Sequence, residues 1–268
     1  MIAVVEHRAG QHESVLFLHG GNVAGWMWDA QVDATTGFHV LQPDLPGFGA
    51  SATEPWTSLA ATADGIAALI RERAHDGRAH IVGLSLGGIV GIELLARYPE
   101  LVRSALLSGT PIGPIGGLTR WSAERQLRFW TRRWYWVGLS RMYRIPEDAV
   151  DVFIETGLAI DPDGARRMLS EVYDGLPASV LDALDGCTVP TLALAGAREH
   201  RSARSGLLQL ERRMTFVTTR IVPGMHHAWN AEDPALFNAV LEEWLIDGRP
   251  AAGLLPLGQP SLGQPGLV

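Results

Sequence analysis

The 268-residue sequence predicts an α/β fold, in which a mostly parallel, doubly wound sheet carries a helical lid insertion. Short runs of β-branched and leucine residues alternate with segments of helical spacing, which is the pattern of repeated strand–helix–strand units. Most of these runs are continuously apolar rather than alternating, as expected for strands with both faces buried. The predicted strands cover residues 15–19, 39–43, 79–84, 103–108, 191–195 and 218–222.

Three of the intervening segments have the apolar spacing of helices, at 59–74, 86–98 and 235–245. Pro99 ends the second of them because proline cannot continue a helix, and Pro234 suits the first turn of the third. The composition, with 47% hydrophobic and 19% charged residues, is typical of a globular protein with a substantial core.

The segment 111–186 interrupts this alternation, because it contains no convincing strand and concentrates bulky aromatic residues. Connections in α/β units usually span only about 2–6 residues. We therefore predict a helical cap at 111–186, inserted into a core formed by residues 1–110 and 187–247. Residues 248–268 hold five glycines and four prolines and repeat Leu-Gly-Gln-Pro at 257–260 and 262–265, which predicts a flexible tail.

Several classes of protein are excluded by charge, cysteine content and hydropathy. The formal net charge of -7 argues against a nucleic-acid partner. The single cysteine, Cys187, excludes an internal disulfide and a cysteine-rich zinc site. No apolar run reaches the roughly 18–20 residues of a membrane span, and the apolar residues before Glu6 are too few for a signal peptide. We expect a cytoplasmic protein without a membrane partner, and the sequence does not predict its oligomeric state.

The most informative motif is Gly83-Leu84-Ser85-Leu86-Gly87-Gly88, which lies between a predicted strand and a predicted helix. The pattern G-x-S-x-G in this context is typical of a nucleophile elbow, a turn so tight that the residues flanking the serine have almost no side chain. Such a turn presents the hydroxyl above the carboxyl edge of the sheet and points a helix N-terminus at the reacting oxygen. We therefore predict that Ser85 is a nucleophile.

A second motif, His19-Gly20-Gly21-Asn22, follows the first predicted strand. A tetrahedral intermediate needs two N–H donors, each worth about 3–4 kcal/mol of transition-state stabilisation. We expect these oxyanion-hole donors to be the backbone N–H groups of Leu86 and Gly21, with Asn22 as the alternative to Gly21. His19 is an alternative base, but a histidine in such a loop more often hydrogen-bonds the local backbone.

The serine needs a base, and the base needs an acid that orients it. Of nine histidines, His226 and His227 follow the last predicted strand, from where an imidazole can reach the elbow. We expect the histidines at positions 7, 12, 39, 75 and 80 to be solvated. Glu199 follows the strand at 191–195 and is the predicted acid, because strand-terminal loops on that face supply catalytic groups. The alternative is a solvated carboxylate paired with Arg198 or Arg201.

Several motifs in this order make the chain resemble the α/β-hydrolase superfamily over about residues 14 to 246. The motifs are His19-Gly20-Gly21, the turn at 44–51, the elbow at Ser85, Gly196-x-x-Glu199 and Pro223-Gly224-x-x-His227-x-Trp229. The resemblance implies a catalytic triad of Ser85, Glu199 and His227 in that chain order.

The sequence departs from the superfamily pattern at several positions. Glu199 stands where relatives more often have aspartate, and His226 stands where they usually have glycine. Few residues precede the first predicted strand, so the usual first hairpin is expected to be shortened or nearly absent. No carboxylate ends the strand at 103–108, where some relatives have their acid. The turn around Asp44 is interpreted as structural, with glycines that serve its backbone conformation.

The resemblance implies an acyl-enzyme mechanism, in which Ser85 attacks an ester carbonyl and water releases the acyl group, without a metal or organic cofactor. Serine at the elbow argues against the haloalkane dehalogenase and epoxide hydrolase branches, which use a carboxylate nucleophile. We predict a carboxylic ester hydrolase acting on small to medium, apolar esters. Enzymatic alternatives are a lactonase, a thioesterase, a carbon–carbon bond hydrolase, a cofactor-free haloperoxidase or an acyltransferase. The non-enzymatic alternative is a ligand-binding protein on a hydrolase scaffold.

The cap is expected to set the choice of substrate. Trp130 and Trp134 recur with Leu127 and Val137 at helical intervals, and Asn22 and Trp26 lie at or near the oxyanion loop. We predict that Asn22, Trp26, Trp130 and Trp134 line the substrate pocket, although packing in the core is the alternative for each aromatic residue.

The cap also carries a concentration of positive charge. Residues 120–144 contain seven arginines and one glutamate, a local charge of +6. Arg125, Arg128 and Arg132 share one helical face, which is expected to be solvated. Steering of esters that bear a carboxylate is the alternative role for this face.

Overall fold

The computed structural model describes residues 2–258, and in this range one sheet has eight strands in the order β1-β3-β2-β4-β5-β6-β7-β8. Strands β2 to β7 are mutually parallel, whereas the outer strands β1 and β8 run antiparallel to their neighbours. The strands are Val4–His7 (β1), Ser14–Leu18 (β2), His39–Pro43 (β3), Ala79–Leu84 (β4), Val102–Ser108 (β5), Thr191–Gly196 (β6), Val217–Val222 (β7) and Leu255–Pro256 (β8). The prediction of a mostly parallel sheet is confirmed.

Each of the six strands predicted from the sequence is present, with ends that differ from the prediction by at most one residue. The side chains of β2 and β6 are buried throughout, because helices cover both faces of the sheet. The carboxyl ends of β2, β4, β6 and β7 meet at one edge of the sheet, and this edge carries the candidate site.

The two outer strands are not among the predicted ones. β1 pairs with β3 from Val4 opposite Pro43 to His7 opposite Val40, so the N-terminal part that was expected to be shortened or nearly absent forms one four-residue strand. β8 pairs with β7, and nearby side chains such as Leu254 pack against the core. The expectation of a flexible tail from residue 248 is therefore wrong for residues up to 258, and the second Leu-Gly-Gln-Pro repeat lies outside the described residues.

The helices that cover the sheet begin and end close to the predicted positions. Those at 59–74, 86–98 and 235–245 correspond to α2, α3 and α11. None of the helices in residues 2–258 combines the length and the apolar character required to cross a membrane. The α-helices are Asp29–Ala34 (α1), Leu59–Arg73 (α2), Leu86–Arg97 (α3), Gly117–Gln126 (α4), Arg133–Met142 (α5), Val150–Ala159 (α6), Pro162–Asp174 (α7), Ala178–Ala183 (α8), Arg201–Arg213 (α9), Trp229–Glu232 (α10) and Pro234–Asp247 (α11).

Two apolar clusters form the core, one on each face of the sheet. The larger cluster includes buried residues of α2, α3 and α9, together with side chains from the insertion between β5 and β6. The smaller cluster packs α1, α10 and α11 against the other face, with Trp28, Trp229 and Phe237 among its fully buried residues. Ring centroids of Trp229 and Phe237 lie 4.4 Å apart. The helices therefore hold the strands rigidly enough to position groups at the sheet edge.

The insertion between β5 and β6 contains helices α4 to α8 and packs around its own aromatic centre. Trp136 is fully buried, its ring lies 5.2 Å from that of Trp130, and its Nε1 donates to the Trp130 carbonyl at 2.7 Å. Glu171 of α7 fastens the insertion to the core, because its carboxylate accepts from the Trp56 indole at 2.9 Å and from the Leu59 N–H at 3.2 Å. The insertion is thereby fixed above the carboxyl edge of the sheet.

Candidate active site

Ser85 lies on a sharp turn between β4 and α3, with φ 56° and ψ -113°. A non-glycine residue with this backbone conformation is strained, and such strain is typical of functional sites. The Ser85 N–H donates to the Ser108 carbonyl at 2.9 Å, so the neighbouring strand β5 holds the turn in place. The turn therefore has the backbone of the predicted nucleophile elbow.

The glycines of the elbow are required by close approach of backbone atoms. A Cβ on Gly83 would lie 2.6 Å from the Gly87 carbonyl oxygen, and a Cβ on Gly87 would lie 2.0 Å from the Leu18 carbonyl oxygen. Neither position has room for a side chain. The N-terminus of α3 consequently packs directly on the end of β2, next to the loop that follows it.

The loop after β2 brings the predicted oxyanion-hole residues beside Ser85. A Cβ on Gly20 would lie 3.7 Å from the Ser85 Cβ, and Gly21 lines the same cavity as Ser85. Leu86 is the first residue of α3, so its N–H has no acceptor within the helix. The two predicted donor residues, Gly21 and Leu86, thus lie on the cavity wall beside the serine.

His19 is fully buried and bonded to the backbone through both ring nitrogens. Its Nδ1 donates to the Gly20 carbonyl at 2.7 Å, and the Leu45 N–H donates to its Nε2 at 2.9 Å. Burial lowers the pKa of His19 to about 4, against the opposing effects of the Gly20 bond and the Asp44 charge. The interpretation of His19 as a local backbone partner is confirmed.

Because His19 is neutral in the folded protein, acidification is expected to destabilise the fold. The unfolded chain binds a proton near the ordinary pKa of 6.5 and the folded chain only near about 4, so stability falls as the pH drops between these values. The loss is about 3 kcal/mol. Urea unfolding of the wild type and His19→Asn, at about pH 7 and about pH 4, checks this. We expect the free-energy difference between the two proteins to shrink by that amount, and parallel pH profiles would contradict it.

His227 and Glu199 meet at the edge formed by β6 and β7. The His227 Nδ1 lies 3.5 Å from the Glu199 Oε2, and the Glu199 side chain is 1% exposed. Gly196 N–H donates to the Glu199 Oε1 at 3.2 Å, whereas Oε2 has no hydrogen-bond partner among the described residues. Gly109 packs against both, since a Cβ there would lie 2.8 Å from the His227 ring. The buried Oε2 is therefore available to an imidazolium at His227.

The ring of His226 contacts a different carboxylate from the one that lies next to His227. Its Nδ1 lies 2.8 Å from the Glu232 Oε1, and its backbone N–H donates to the Glu232 Oε2 at 2.9 Å. Arg144 of the insertion approaches the same carboxylate at 3.9 Å. Burial acts to raise the pKa of Glu232, but the two His226 bonds and the Arg144 charge outweigh it and lower the pKa. His226 thus forms hydrogen bonds with Glu232, whereas the His227 ring lies next to the Glu199 carboxylate.

These groups surround one cavity of about 610 Å³ between the sheet edge and the insertion. Core residues on its wall include Gly21, Ser85 and His227, and α7 contributes much of the opposite side. The wall is formed by Gly20, Gly21, Asn22, Val23, Met27, Leu84, Ser85, Leu86, Pro111, Ile115, Met142, Tyr143, Arg144, Ile145, Met168, Leu169, Val172, Tyr173, His226, His227, Ala228, Ala231 and Glu232.

Of the four residues predicted to line the substrate pocket, only Asn22 lies on this wall. The prediction is wrong for the other three. Trp26 donates from its indole to Thr156 at 3.1 Å and so joins the core to α6. Trp130 is buried inside the insertion, and Trp134 is 61% exposed on its outer surface.

Tyr143, which follows α5, lines the cavity but was not among the predicted pocket residues. Burial raises the pKa of Tyr143, and a side-chain hydrogen bond with Asn22 partly offsets this. Tyr143 and Asn22 thus lie on the same cavity wall. Tyr173 of α7 also lines the cavity, and burial raises its pKa as well. Neither tyrosine belongs to a sequence motif. Only their positions near the ends of two cap helices could have indicated that they line the cavity.

The turn around Asp44 is structural, as predicted. The Asp44 carboxylate accepts from the Gly25 N–H at 2.6 Å and from the Ala50 N–H at 2.7 Å. Gly47 and Gly49 have φ of 86° and 50°, which glycine adopts without strain. The turn supports the loop after β2 from behind.

Comparison with known proteins finds similar chains among hydrolases and esterases. An AB hydrolase superfamily protein of Gibberella zeae is 27% identical over 251 residues, covering 87% of this chain and 80% of that protein. The 2-(acetamidomethylene)succinate hydrolase of Mesorhizobium japonicum is 28% identical, covering 85% and 86%. The structure of a thermophilic esterase from Thermogutta terrifontis superposes with a TM-score of 0.73 at 23% identity, covering 92% and 94% of the two chains.

The alpha/beta hydrolase family model matches residues 15–240, which include the elbow, the loop after β2, Glu199 and the histidine pair. The match covers most of the chain and the whole parallel part of the sheet. The chain therefore belongs to the alpha/beta hydrolase family.

Proposed function

We propose that this hydrolase cleaves carboxylic esters through an acyl-enzyme on Ser85. The observation that carries the proposal is the convergence of three groups at one cavity. Ser85 lies there on its strained turn, and His227 lies there with the buried Glu199 carboxylate behind it. A nucleophile, a base and an acid that orients the base are the groups that acyl transfer needs.

In the proposed reaction the Ser85 Oγ attacks the ester carbonyl carbon, and His227 takes the hydroxyl proton. The negative charge that develops on the carbonyl oxygen is stabilised by the N–H groups of Leu86 and Gly21. His227 then protonates the leaving alcohol as the carbon–oxygen bond breaks. The free Oε2 of Glu199 stabilises the imidazolium, and the present 3.5 Å separation is expected to shorten as that charge develops.

The second half of the reaction returns the enzyme to its starting state. A water molecule gives a proton to His227 and attacks the acyl carbonyl, and the same two N–H groups stabilise the charge on oxygen. Collapse of this intermediate releases the carboxylic acid, and His227 returns the proton to Ser85. All atoms of the reaction come from the ester, the water and the protein.

The cavity supports a small to medium, apolar substrate. Its volume of about 610 Å³ lies within the range of pockets that hold small molecules. Ten of the 23 wall residues are methionine, valine, leucine or isoleucine, and Asn22, Tyr143, Arg144, Tyr173 and Glu232 add polar and charged groups. The hydrolase and esterase among the similar proteins fit this proposal. Lactones, thioesters and carbon–carbon bonds would use the same first step and differ in the leaving group.

Hydrolysis of p-nitrophenyl esters from acetate to dodecanoate tests the proposal. We expect turnover of short and medium chains and a loss of kcat of about 10⁴-fold or more in Ser85→Ala. Ser179→Ala, on exposed α8, is the matched control and should retain wild-type kcat. Mass spectrometry of quenched reactions should show an acyl adduct on Ser85. Activity that survives in Ser85→Ala, or a folded wild type that is inactive on the whole series, would contradict the proposal.

A further inference from the structure

The outer surface of the insertion carries a line of aromatic, aliphatic and arginine side chains that are exposed, except for the half-buried Phe129. Leu118, Trp121, Arg125 and Arg128 follow one another at intervals of three and four residues along α4 and the turn after it, so they share one helical face. We call the surface formed by Leu118, Trp121, Arg125, Arg128, Phe129 and Trp134 the cap stripe.

Ring and cation contacts connect the members of the cap stripe. The Arg125 guanidinium lies 4.9 Å from the Trp121 ring centroid, and the Arg128 guanidinium lies 4.9 Å from that of Phe129. The Phe129 and Trp134 rings are 5.1 Å apart. These contacts form two groups, Trp121 with Arg125 and Arg128 with Phe129 and Trp134, and the helical spacing of Arg125 and Arg128 places the two groups next to each other.

Most side chains of the cap stripe are exposed, although several of them are large and apolar. Leu118 is 76% exposed, Trp121 54% and Trp134 61%, and α4 buries none of its side chains. Exposed apolar groups of this size, gathered on one surface, usually mark an interaction site. On α5, Trp134 and the exposed Met142 lie two turns apart on one face, and Met142 also lines the cavity. The exposed side of α5 therefore reaches the cavity wall at Met142.

The charge of this surface is complementary to an anionic partner. Residues 120–144 carry +6, so the rest of the chain, in a molecule of net charge -7, carries -13. Within residues 2–258, no carboxylate lies within 4.0 Å of Arg125, Arg128, Arg132 or Arg141. An anionic surface would attract the segment 120–144 and repel the other parts of the chain, including residues 145–186 of the insertion with their ten carboxylates and two arginines, which fixes the orientation of the molecule.

We propose that the cap stripe docks on an anionic lipid surface, which replaces the expectation from the sequence that the protein has no membrane partner. Tryptophan and leucine side chains enter the boundary between headgroups and acyl chains, while arginines on the same helix bind anionic headgroups. Intermixed rings and guanidinium groups on an outward-facing helix fit such a boundary, whereas an acidic protein would have to supply a pocket for each ring. Docking in this way places the cavity wall at Met142 close to the lipid.

Flotation with phospholipid vesicles tests this docking. Full-length protein is mixed with vesicles of phosphatidylcholine containing about 30 mol% phosphatidylglycerol, or with pure phosphatidylcholine, at about 0.05 M and about 0.3 M salt. We expect binding to the anionic vesicles at low salt, weaker binding at high salt and little binding to neutral vesicles.

Two double variants locate the contact. We expect Arg125→Gln with Arg128→Gln, and separately Trp121→Ala with Trp134→Ala, to lower the partition coefficient about tenfold or more. Arg212→Gln with Phe216→Ala is the matched control, because both residues are exposed outside the insertion. Thermal unfolding verifies that each variant is folded.

Either of two results would overturn the proposal. The first is equal partitioning onto anionic and neutral vesicles, or no binding to either. The occupant of the cap stripe would then be an acidic protein instead of a lipid surface. The second is wild-type binding by both stripe variants. Because flotation does not involve turnover, neither result depends on whether Ser85 forms an acyl-enzyme.

Discussion

Replacement of His227 by alanine will lower kcat/KM for the best p-nitrophenyl ester by about four orders of magnitude, whereas His226→Ala will cost about tenfold or less. The two imidazoles are adjacent in sequence, and both line the cavity. They differ in their partners, because Glu199 lies behind the His227 ring and Glu232 holds the ring and the N–H of His226. Only His227 has a buried carboxylate free to stabilise its charged form.

Each histidine variant serves as the control for the other, since both remove one ring from the same loop. Steady-state kinetics at several pH values separates loss of the base from general damage to the loop. If His226→Ala were the more damaging change, His226 would be the base and the alignment of the Pro223-Gly224 motif would be wrong by one residue.

The second large effect is expected at Gly87, where alanine will destabilise the fold by about 3 kcal/mol or more. The added Cβ would lie 2.0 Å from the Leu18 carbonyl oxygen and 2.8 Å from that of His19, and both obstacles are backbone atoms that cannot rotate away. Relief requires α3 to move off the end of β2. The same movement would separate Leu86 from the loop that carries Gly21.

Gly138→Ala is the matched control for this change. Gly138 lies inside α5, and an added Cβ there meets nothing within 4 Å, so alanine should stabilise the protein by about 0.5–1 kcal/mol. Urea unfolding measures both variants, and insoluble accumulation of Gly87→Ala alone would agree with the larger loss. Equal free energies of unfolding for Gly87→Ala and wild type would contradict the steric argument.

The elbow could be predicted from sequence because its geometry is local. Gly83, Ser85 and Gly87 lie within five residues, and the strand before and helix after them have clear patterns. The positions of Glu199 and His227 followed from the order of the strands, since groups that follow parallel strands meet at one edge. Their separation, and the burial of Glu199, depend on packing that a linear pattern does not contain.

The wrong predictions concern which side chains are buried and which strands form the edges of the sheet. Helical spacing grouped Trp130 with Trp134 on one face, but Arg132 is extended and α5 begins only at Arg133, so Trp130 packs inside the insertion while Trp134 faces solvent. His39 was expected to be solvated, yet it is buried, with its ring bonded to Ser14 at 3.0 Å and to Glu6 at 2.8 Å. β1 and β8 are too short for a pattern, and only pairing with β3 and β7 defines them.

The two short antiparallel strands have a consequence for self-association. An uncovered parallel edge offers a row of unpaired N–H and carbonyl groups to any other extended chain. β1 covers β3 along four residues, and β8 covers β7 at Arg220 and Ile221. The segment that was expected to be a loose tail thus occupies part of the β7 edge, so that a strand added by a second molecule would meet β8 rather than β7 at Arg220 and Ile221.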